Sequence, residues 1–460
     1  MTGNSDMTIA QQLAEWAAGL DLSDVPENVR HAARRCIIDT LGVAVAGSRT
    51  PVAQRIAAHL SEQYGSGPCT VLGTGQHSSA TGAALANGTS AHALDFDDTS
   101  YAGILHGSTI VLPAVLAAAE HARCNGGQFL EAFVAGSEAT YALGLTLTES
   151  HYMSGWWATG TLGAIGSAAG AAKALTLNTE KTTTAISLAA IQANGMLAML
   201  GHDAKPILAG QATRLGLESA LMAAQGNTAP KQVFEDRRGV LQLMNDGKSD
   251  PAGLAGLGSI WCLVDPGVAV KAAPVCSAAQ AAIEMTQELI EKNGLEREQV
   301  SRVLCEVPKL VEISLVHHRP ETPAQAQFSM PFAVGCVLAF GELGPEQISQ
   351  NIFADTAFQT AMEKVKMVEA EDLNGPDYQP RYPECARITI EMDDGTRVTD
   401  FLGAPTGMPE NPMSDEEIAD KFRKCTAFAG WSDERSEAVL TGLWDIESIE
   451  NVTVLIGEES

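Results

Sequence analysis

Apolar residues recur at helical spacing through most of the first 264 residues of the chain. Ile9, Leu13 and Leu20 fall on one face of residues 8–22, which predicts an amphipathic helix there. The same pattern predicts helices from Pro26 to about Gly47 and at about 52–63, 78–93, 109–123, 127–147, 158–175, 179–194 and 210–226. We therefore expect an all-helical domain over residues 1–264.

The pattern changes after Val264. Residues 299–307 alternate between apolar and polar side chains, and 386–392 and 396–402 flank an Asp-Gly turn, which predicts a strand and a β-hairpin. Further helices are predicted at about 274–293, 327–341, 345–350, 414–428 and 432–446. We predict a mainly α fold in which a smaller α+β lid domain (265–403) is inserted, and residues 404–460 return to the helical domain.

The net charge of the chain limits the classes of partner that it is expected to bind. Acidic residues outnumber basic ones by 56 to 29, which gives a net charge of −27. A field of that sign repels nucleic-acid backbones and anionic lipid, so we expect neither a nucleic-acid nor a membrane partner. A small anionic substrate would need a local group of basic side chains.

Cysteine usage predicts a reducing compartment. The chain has nine cysteines, an odd number, which are widely spaced and form no C-x-x-C motif. This pattern favours free thiols in a cytoplasmic protein. The most apolar stretch, 156–175, owes its apolarity to Gly and Ala and contains Lys173. We predict a buried helix there and no membrane span.

The segment from His92 to Pro113 carries the candidate chemistry. Asp97-Asp98 suggests a magnesium-binding D-D-x-x-D motif, but Tyr101 stands at the third acidic position, so we predict no metal site. His106-Gly-Ser108 precedes an apolar helix, whose free N–H groups can bind an anion. A histidine beside that anion can act as a base near neutral pH.

Several motifs in this chain resemble those of the MmgE/PrpD family, which includes 2-methylcitrate dehydratase, cis-aconitate decarboxylase and iminodisuccinate epimerase. The signature is His92-Ala-Leu-Asp-Phe-Asp-Asp-Thr99 with His106-Gly-Ser108 and Val111-Leu-Pro113. Similar motifs lie at 163–169, 205–212, 271–274 and 328–332, and at Asp394-Gly395 and Lys421-Phe422. The resemblance implies a homodimeric, metal-independent enzyme that needs no cofactor and acts on a small polycarboxylate.

The resemblance also implies which residues form the site. Lys205 and Lys271 are suited to hold substrate carboxylates, and either can act as a base if burial lowers its pKa. We predict catalytic roles for Asp95, His106, Lys205 and Lys271, and substrate binding by Thr99, Ser108, Tyr152 and Trp157.

Three departures from the family pattern bear on the reaction. Trp157 and Gln280 stand where dehydratase-like and decarboxylase-like relatives typically have histidine, and Phe332 stands where many have tyrosine. Epimerisation needs two bases but no acid for a leaving group. The departures therefore favour an epimerase that removes and returns a proton α to a carboxylate of a dicarboxylate such as iminodisuccinate.

Two alternatives stay open. One is a dehydratase or decarboxylase of a tricarboxylate of the 2-methylcitrate or cis-aconitate type, since Tyr101, Tyr152, His151 and His317-His318 can replace the missing proton donors. The other is a catalytically silent helical scaffold or binding protein that has kept the fold.

Overall fold

Helices supply most of the secondary structure in the computed structural model, which describes residues 7–456. The prediction of a mainly α fold is confirmed. The part of the chain before residue 272 forms α1 (Ile9–Gly19), α2 (Glu27–Gly47), α3 (Pro51–Gln63), β1 (Cys69–Val71), β2 (Gln76–Ser78), α4 (Ala80–Ala93), α5 (Gly107–Ala122), α6 (Gly126–Met153), α7 (Ala158–Ala174), α8 (Thr179–Gln192), α9 (Ala204–Ala224), α10 (Val240–Asn245) and α11 (Ala252–Ala255).

Small residues bring the central helices together. Nearly every residue of α5 and α7 is buried, and α7 packs against α5, α6 and α9. A Cβ added at Gly166 would lie 1.7 Å from the Thr140 hydroxyl oxygen, so only glycine permits this approach between α6 and α7. The run of glycines in α7 thus serves close helix packing.

Residues 273–402, called here the α+β unit, have a hydrophobic core of their own, which extends from Ala273 to Met392. Their elements are α12 (Gln280–Asn293), β3 (Val300–Val307), α13 (Lys309–Ser314), α14 (Pro323–Ala326), α15 (Met330–Phe340), α16 (Thr356–Glu363), β4 (Val365–Glu369), β5 (Ala386–Met392) and β6 (Arg397–Leu402). The strand order is β4-β3-β5-β6, with β3 and β4 parallel and the other pairs antiparallel. Gly395, at φ +87°, occupies the turn of the predicted hairpin.

The chain then packs back onto the first helices. α17 (Asp415–Phe428) contacts α2, and α18 (Asp433–Trp444) and α19 (Val452–Ile456) follow it. Ser414 and Glu417 form the predicted capping box at the start of α17. The helical unit, as we call residues 7–272 together with 413–456, shares one large core. The domain boundaries at 264/265 and 403/404 remain predictions.

Several element bounds differ from the predicted ones. α9 begins at Ala204 instead of 210, which places Lys205 in its first turn. α6 continues beyond the predicted end at 147 through a kink at Thr148. α12 begins at Gln280 because the preceding residues pair with the chain near Gln327, whose carbonyl accepts from the Cys276 N–H at 2.9 Å. None of the helices in residues 7–456 combines the length and apolarity needed to cross a membrane.

Candidate active site

The loop between α4 and α5, residues 94–106, brings three predicted site residues to one place. Asp95 follows the end of α4 in a left-handed conformation (φ +48°), a strained backbone that is typical of functional sites. Thr99 pairs through its backbone with Ala269, which brings the chain near Lys271 to this loop. His106 closes the loop and caps the start of α5.

Two buried lysines flank the Asp95 side chain. The Lys205 ammonium donates to Asp95 Oδ1 at 2.7 Å. The Lys271 ammonium donates to the Asp95 carbonyl oxygen at 2.6 Å and lies 3.4 Å from Oδ2. Burial raises the pKa of the Asp95 carboxyl, but the two lysines outweigh it and hold that pKa below its ordinary value. Asp95 is therefore an anion held by two cations.

A chain of hydrogen bonds runs from Lys205 through two imidazoles. Lys205 Nζ donates to His92 Nε2 at 2.6 Å, and His92 Nδ1 donates to Asp97 Oδ2 at 2.8 Å. The same Asp97 oxygen lies 3.3 Å from His106 Nδ1 and accepts from the Thr109 hydroxyl at 2.5 Å. This network fixes the orientation of both rings. Burial lowers the pKa of His92, although Asp97 opposes this shift.

His106 is arranged as a neutral base. Its Nδ1 donates to the Asp98 carbonyl oxygen at 2.7 Å, which leaves Nε2 as the unprotonated nitrogen. Burial lowers the pKa of His106 to about 3, although Asp97 opposes this shift. The ring is thus uncharged at neutral pH and can accept a proton.

The expected anion site at the start of α5 is occupied by a side chain of the protein. The Ser108 hydroxyl donates to Asp98 Oδ2, and its N–H lies 3.4 Å from Asp98 Oδ1. Ser108 is fully buried and does not line the cavity beside His106. Burial raises the pKa of Asp98 to about 7. The structure therefore gives Ser108 a partner inside the protein where we had predicted a substrate.

A small cavity of about 40 Å3 lies between the helical unit and the α+β unit. Its lining from the helical unit includes six of the eight predicted site residues: Asp95, Thr99, His106, Tyr152, Trp157 and Lys205. Lys271 lies behind Asp95. The α+β unit contributes Cys276, Ser277, Leu310, Ser314, Phe328 and Glu384, none of which we had predicted as site residues.

Trp157 forms an aromatic wall of this cavity. Its ring centroid is 5.3 Å from that of His92, and the Lys205 ammonium lies 5.5 Å from it. The ring centroid of Phe328 lies 4.9 Å from the same ammonium. The Lys205 ammonium thus contacts two aromatic faces while it donates to Asp95.

The other two departures from the family pattern lie outside this cavity. The Gln280 amide binds the backbone of residues 272–275, as acceptor from two N–H groups and donor to two carbonyls. Phe332 packs against Phe353 and Phe358 in the core of the α+β unit. Both side chains make contacts within the α+β unit, and of the three departures only Trp157 lines this cavity.

His92, Asp97 and His106 place potential metal-ligating atoms within 4.8 Å of one another. Both ring nitrogens of His92, His106 Nδ1 and Asp97 Oδ2 already take part in the hydrogen bonds described above. A divalent ion there would also face the Lys205 ammonium, which is 2.6 Å from His92. The absence of a metal from the reaction remains a prediction.

Comparison with known proteins covers nearly the whole chain. Residues 11–251 match the model of the MmgE/PrpD N-terminal domain, and residues 273–446 match that of the C-terminal domain. The cis-aconitate decarboxylase-like protein oryM of Aspergillus oryzae is 26% identical, over 97% of this chain and 96% of its own length. Cis-aconitate decarboxylases of Aspergillus terreus and Homo sapiens are each 27% identical, over 91% and 97% of this chain and 89% and 94% of their own lengths.

Proposed function

This chain belongs to the MmgE/PrpD family, and from that premise we propose that it is an enzyme that decarboxylates a small unsaturated tricarboxylate of the cis-aconitate type. The relatives named above are decarboxylases or decarboxylase-like proteins, and they support this alternative over the epimerase that the sequence departures had favoured. The proposal includes no metal and no organic cofactor.

The observation that carries the proposal is the pair of buried lysines around Asp95. In a chain with a net charge of −27, Lys205 and Lys271 concentrate positive charge at one cavity wall. A substrate carboxylate can share or displace Asp95 as their anionic partner. Loss of carbon dioxide leaves an electron pair on carbon, delocalised into the adjoining alkene and carboxylate. An ammonium at that carboxylate stabilises the charge as it develops.

His106 has a matching role in this scheme. Since the ring is neutral, its Nε2 can accept a hydrogen bond from the substrate and orient it without adding charge beside the carboxylates. Thr99 and Tyr152 line the same cavity and offer hydroxyl groups to the remaining carboxylates.

The cavity beside His106 is too small for the substrate. One water molecule needs roughly 10–15 Å3 of such space, so about 40 Å3 holds only a few waters. A neighbouring cavity of about 600 Å3 shares Lys205 and Phe328 as lining residues. We propose that the substrate enters from this side when the α+β unit moves away from the helical unit.

The direct test is turnover of cis-aconitate, followed by NMR in deuterium oxide together with carbon dioxide release. The wild-type protein should release carbon dioxide, and His106→Ala should lose on the order of 100-fold or more in rate while remaining folded. His77→Ala, at an exposed position on β2, is the matched control and should keep full activity. EDTA should have no effect. Activity that EDTA removes and a divalent ion restores would point to His92, Asp97 and His106 as metal ligands.

Epimerisation is the second candidate, and Trp157 favours it because this cavity wall carries no titrating group. In that case the α-proton of iminodisuccinate should exchange with deuterium while neither carbon dioxide nor an alkene forms. Turnover of 2-methylcitrate to an alkene would instead identify a dehydratase. A protein that binds these acids without any proton exchange or turnover would be the silent scaffold.

A further inference from the structure

A carboxyl group of the α+β unit lies in the candidate active site without a role in the scheme above. Glu384 lies just before β5, is 7% exposed and lines the same cavity as His106 and Lys205. Its Oε2 accepts from the Tyr101 hydroxyl at 2.5 Å, and its Oε1 accepts from the Ser277 hydroxyl at 3.0 Å. Tyr101 belongs to the helical unit, so this carboxyl spans the two sides of the cavity.

The surroundings of Glu384 favour its protonated form. Burial raises the pKa of the carboxyl above its ordinary value, and the hydrogen bonds from Tyr101 and Ser277 and the charge of Lys271 offset this shift only in part. The titratable groups that face it are Tyr101, Tyr152, Cys276, Lys271 and Asp95. Glu384 can therefore hold a proton beside the reacting atoms at a pH where an exposed glutamate cannot.

Four other side chains that line the cavity are poor proton donors: Cys276, Tyr152, His106 and Trp157. Burial raises the pKa of the Cys276 thiol to about 12 and raises the pKa of Tyr152 as well, so both give up protons reluctantly. His106 is neutral, and its one N–H is engaged by the Asp98 carbonyl. Trp157 has no titrating group, although the family resemblance places a histidine at its position.

We infer that Glu384 is the catalytic acid that delivers a proton to the substrate carbon. This inference rests on the proposed decarboxylation. The bond between carbon and the departing carboxylate breaks, and carbon dioxide leaves without that electron pair. The pair forms a new C–H bond with the proton of Glu384, whose O–H bond breaks. Glu384 is left as a carboxylate and regains a proton from solvent when the site opens. No oxidant or reductant is involved.

The competing explanation is that Glu384 only joins the two units through Tyr101. The two roles differ in their kinetics. An acid acts in the chemical step, so its loss lowers kcat and removes the alkaline limb of the pH profile of kcat. A residue that only joins the two units acts on opening and substrate binding. Its loss therefore raises KM and leaves the pH profile of kcat unchanged.

The experiment compares Glu384→Gln, Glu384→Asp and Tyr101→Phe with the wild type, using cis-aconitate and carbon dioxide release over a range of pH. Glu384→Gln should lower kcat by on the order of 100-fold and abolish the alkaline limb, with KM changed less than about threefold. Glu384→Asp should restore part of kcat. Glu371→Gln, at an exposed position of the α+β unit, should match the wild type.

The Tyr101→Phe variant tests the role of Glu384 independently. The Tyr101 hydrogen bond lowers the pKa of Glu384, so its removal should move the alkaline limb to higher pH. A Glu384→Gln protein that keeps the wild-type kcat and alkaline limb would overturn the role of Glu384 alone. A wild-type protein that releases no carbon dioxide from cis-aconitate would overturn the proposed function and, with it, this step.

Discussion

The Lys205 ammonium lies 2.7 Å from Asp95 Oδ1 and 2.6 Å from His92 Nε2, so one cation joins the carboxylate to the histidine network of the site. The contact depends on α9 beginning at Ala204, which puts Lys205 in its first turn. The cation that the proposed reaction needs is therefore positioned by a helix end and not by a mobile loop.

Replacing this cation should weaken substrate binding specifically. Lys205→Met keeps much of the apolar stem between Trp157 and Phe328 but removes a charge-assisted hydrogen bond, worth about 1.5–3 kcal/mol. We expect kcat/KM for cis-aconitate to fall about 10- to 100-fold. Steady-state kinetics check this, with circular dichroism to confirm the fold. Lys366→Met, exposed on β4, is the control, and equal losses in both variants would contradict a specific role.

The acidic side of the pH profile should reflect His106. Because burial lowers the pKa of this ring to about 3, the neutral base persists well below the ordinary value of 6.5. The acid limb of kcat/KM should accordingly lie below about pH 5, as measured in overlapping buffers. An acid limb centred near 6.5 would show that the pKa of His106 is not lowered in the free enzyme and would contradict this prediction.

The same shift predicts how stability changes with pH. Between about pH 3 and 6.5 the unfolded chain binds a proton at His106 and the folded chain does not. The contribution of His106 to the free energy of unfolding is therefore present in full above pH 6.5 and is lost as the pH falls below it. Urea unfolding measures the free energy of unfolding at each pH. In this range we expect it to rise with pH less steeply for His106→Asn than for the wild type, by up to about 1.4 kcal/mol per pH unit. Equal slopes for both proteins would contradict the shift.

Most of the fold could be predicted from the sequence because its signals are local. Helical spacing identified α1 to α9, and the Asp-Gly turn identified the β5–β6 hairpin. β4 was missed because a parallel strand depends on a distant partner: Val365 pairs with Val303 across a long connection. No pattern within either segment records that contact.

The site could be predicted only in part for a related reason. Asp95, His106 and Lys205 stand in motifs that resemble the family, whereas Glu384 has no motif around it. It is 283 residues from Tyr101 and 107 from Ser277, and only tertiary packing joins the three. Ser108 was assigned to the substrate because a helix N-terminus attracts anions. The structure places Asp98, ten residues earlier, at that N-terminus.

Gly144 should prove essential for the loop that carries Tyr101 and His106. A Cβ at this position of α6 would lie 2.0 Å from the Ala102 carbonyl oxygen, so Gly144→Ala must push the loop outward. We expect at least a tenfold loss of kcat/KM, because small displacements of catalytic groups are costly. Gly19→Ala is the matched control, since an added Cβ there meets nothing within 4 Å. A Gly144→Ala enzyme with wild-type kinetics would show that the loop tolerates the shift.

Breaking the ion pair between Lys421 and Asp39 should destabilise the fold beneath the site. The Lys421 ammonium lies 2.7 Å from Asp39 Oδ1, donates to the Phe96 carbonyl oxygen at 2.8 Å and is buried between α17 and α2. Lys421→Met leaves the Asp39 carboxylate buried without its cation, which costs about 3–5 kcal/mol. Phe96 lies next to Asp95 in the chain, so activity should fall together with stability.

A second substitution separates charge from packing. In Lys421→Met/Asp39→Asn no buried charge is left unpaired, so the double variant should regain stability over Lys421→Met alone. Lys424→Met, three residues along α17 and exposed, should unfold like the wild type in urea. If the double variant were as unstable as Lys421→Met, the loss would come from packing of the lysine stem and its bond to Phe96. In that case the ion pair itself would contribute little to the fold.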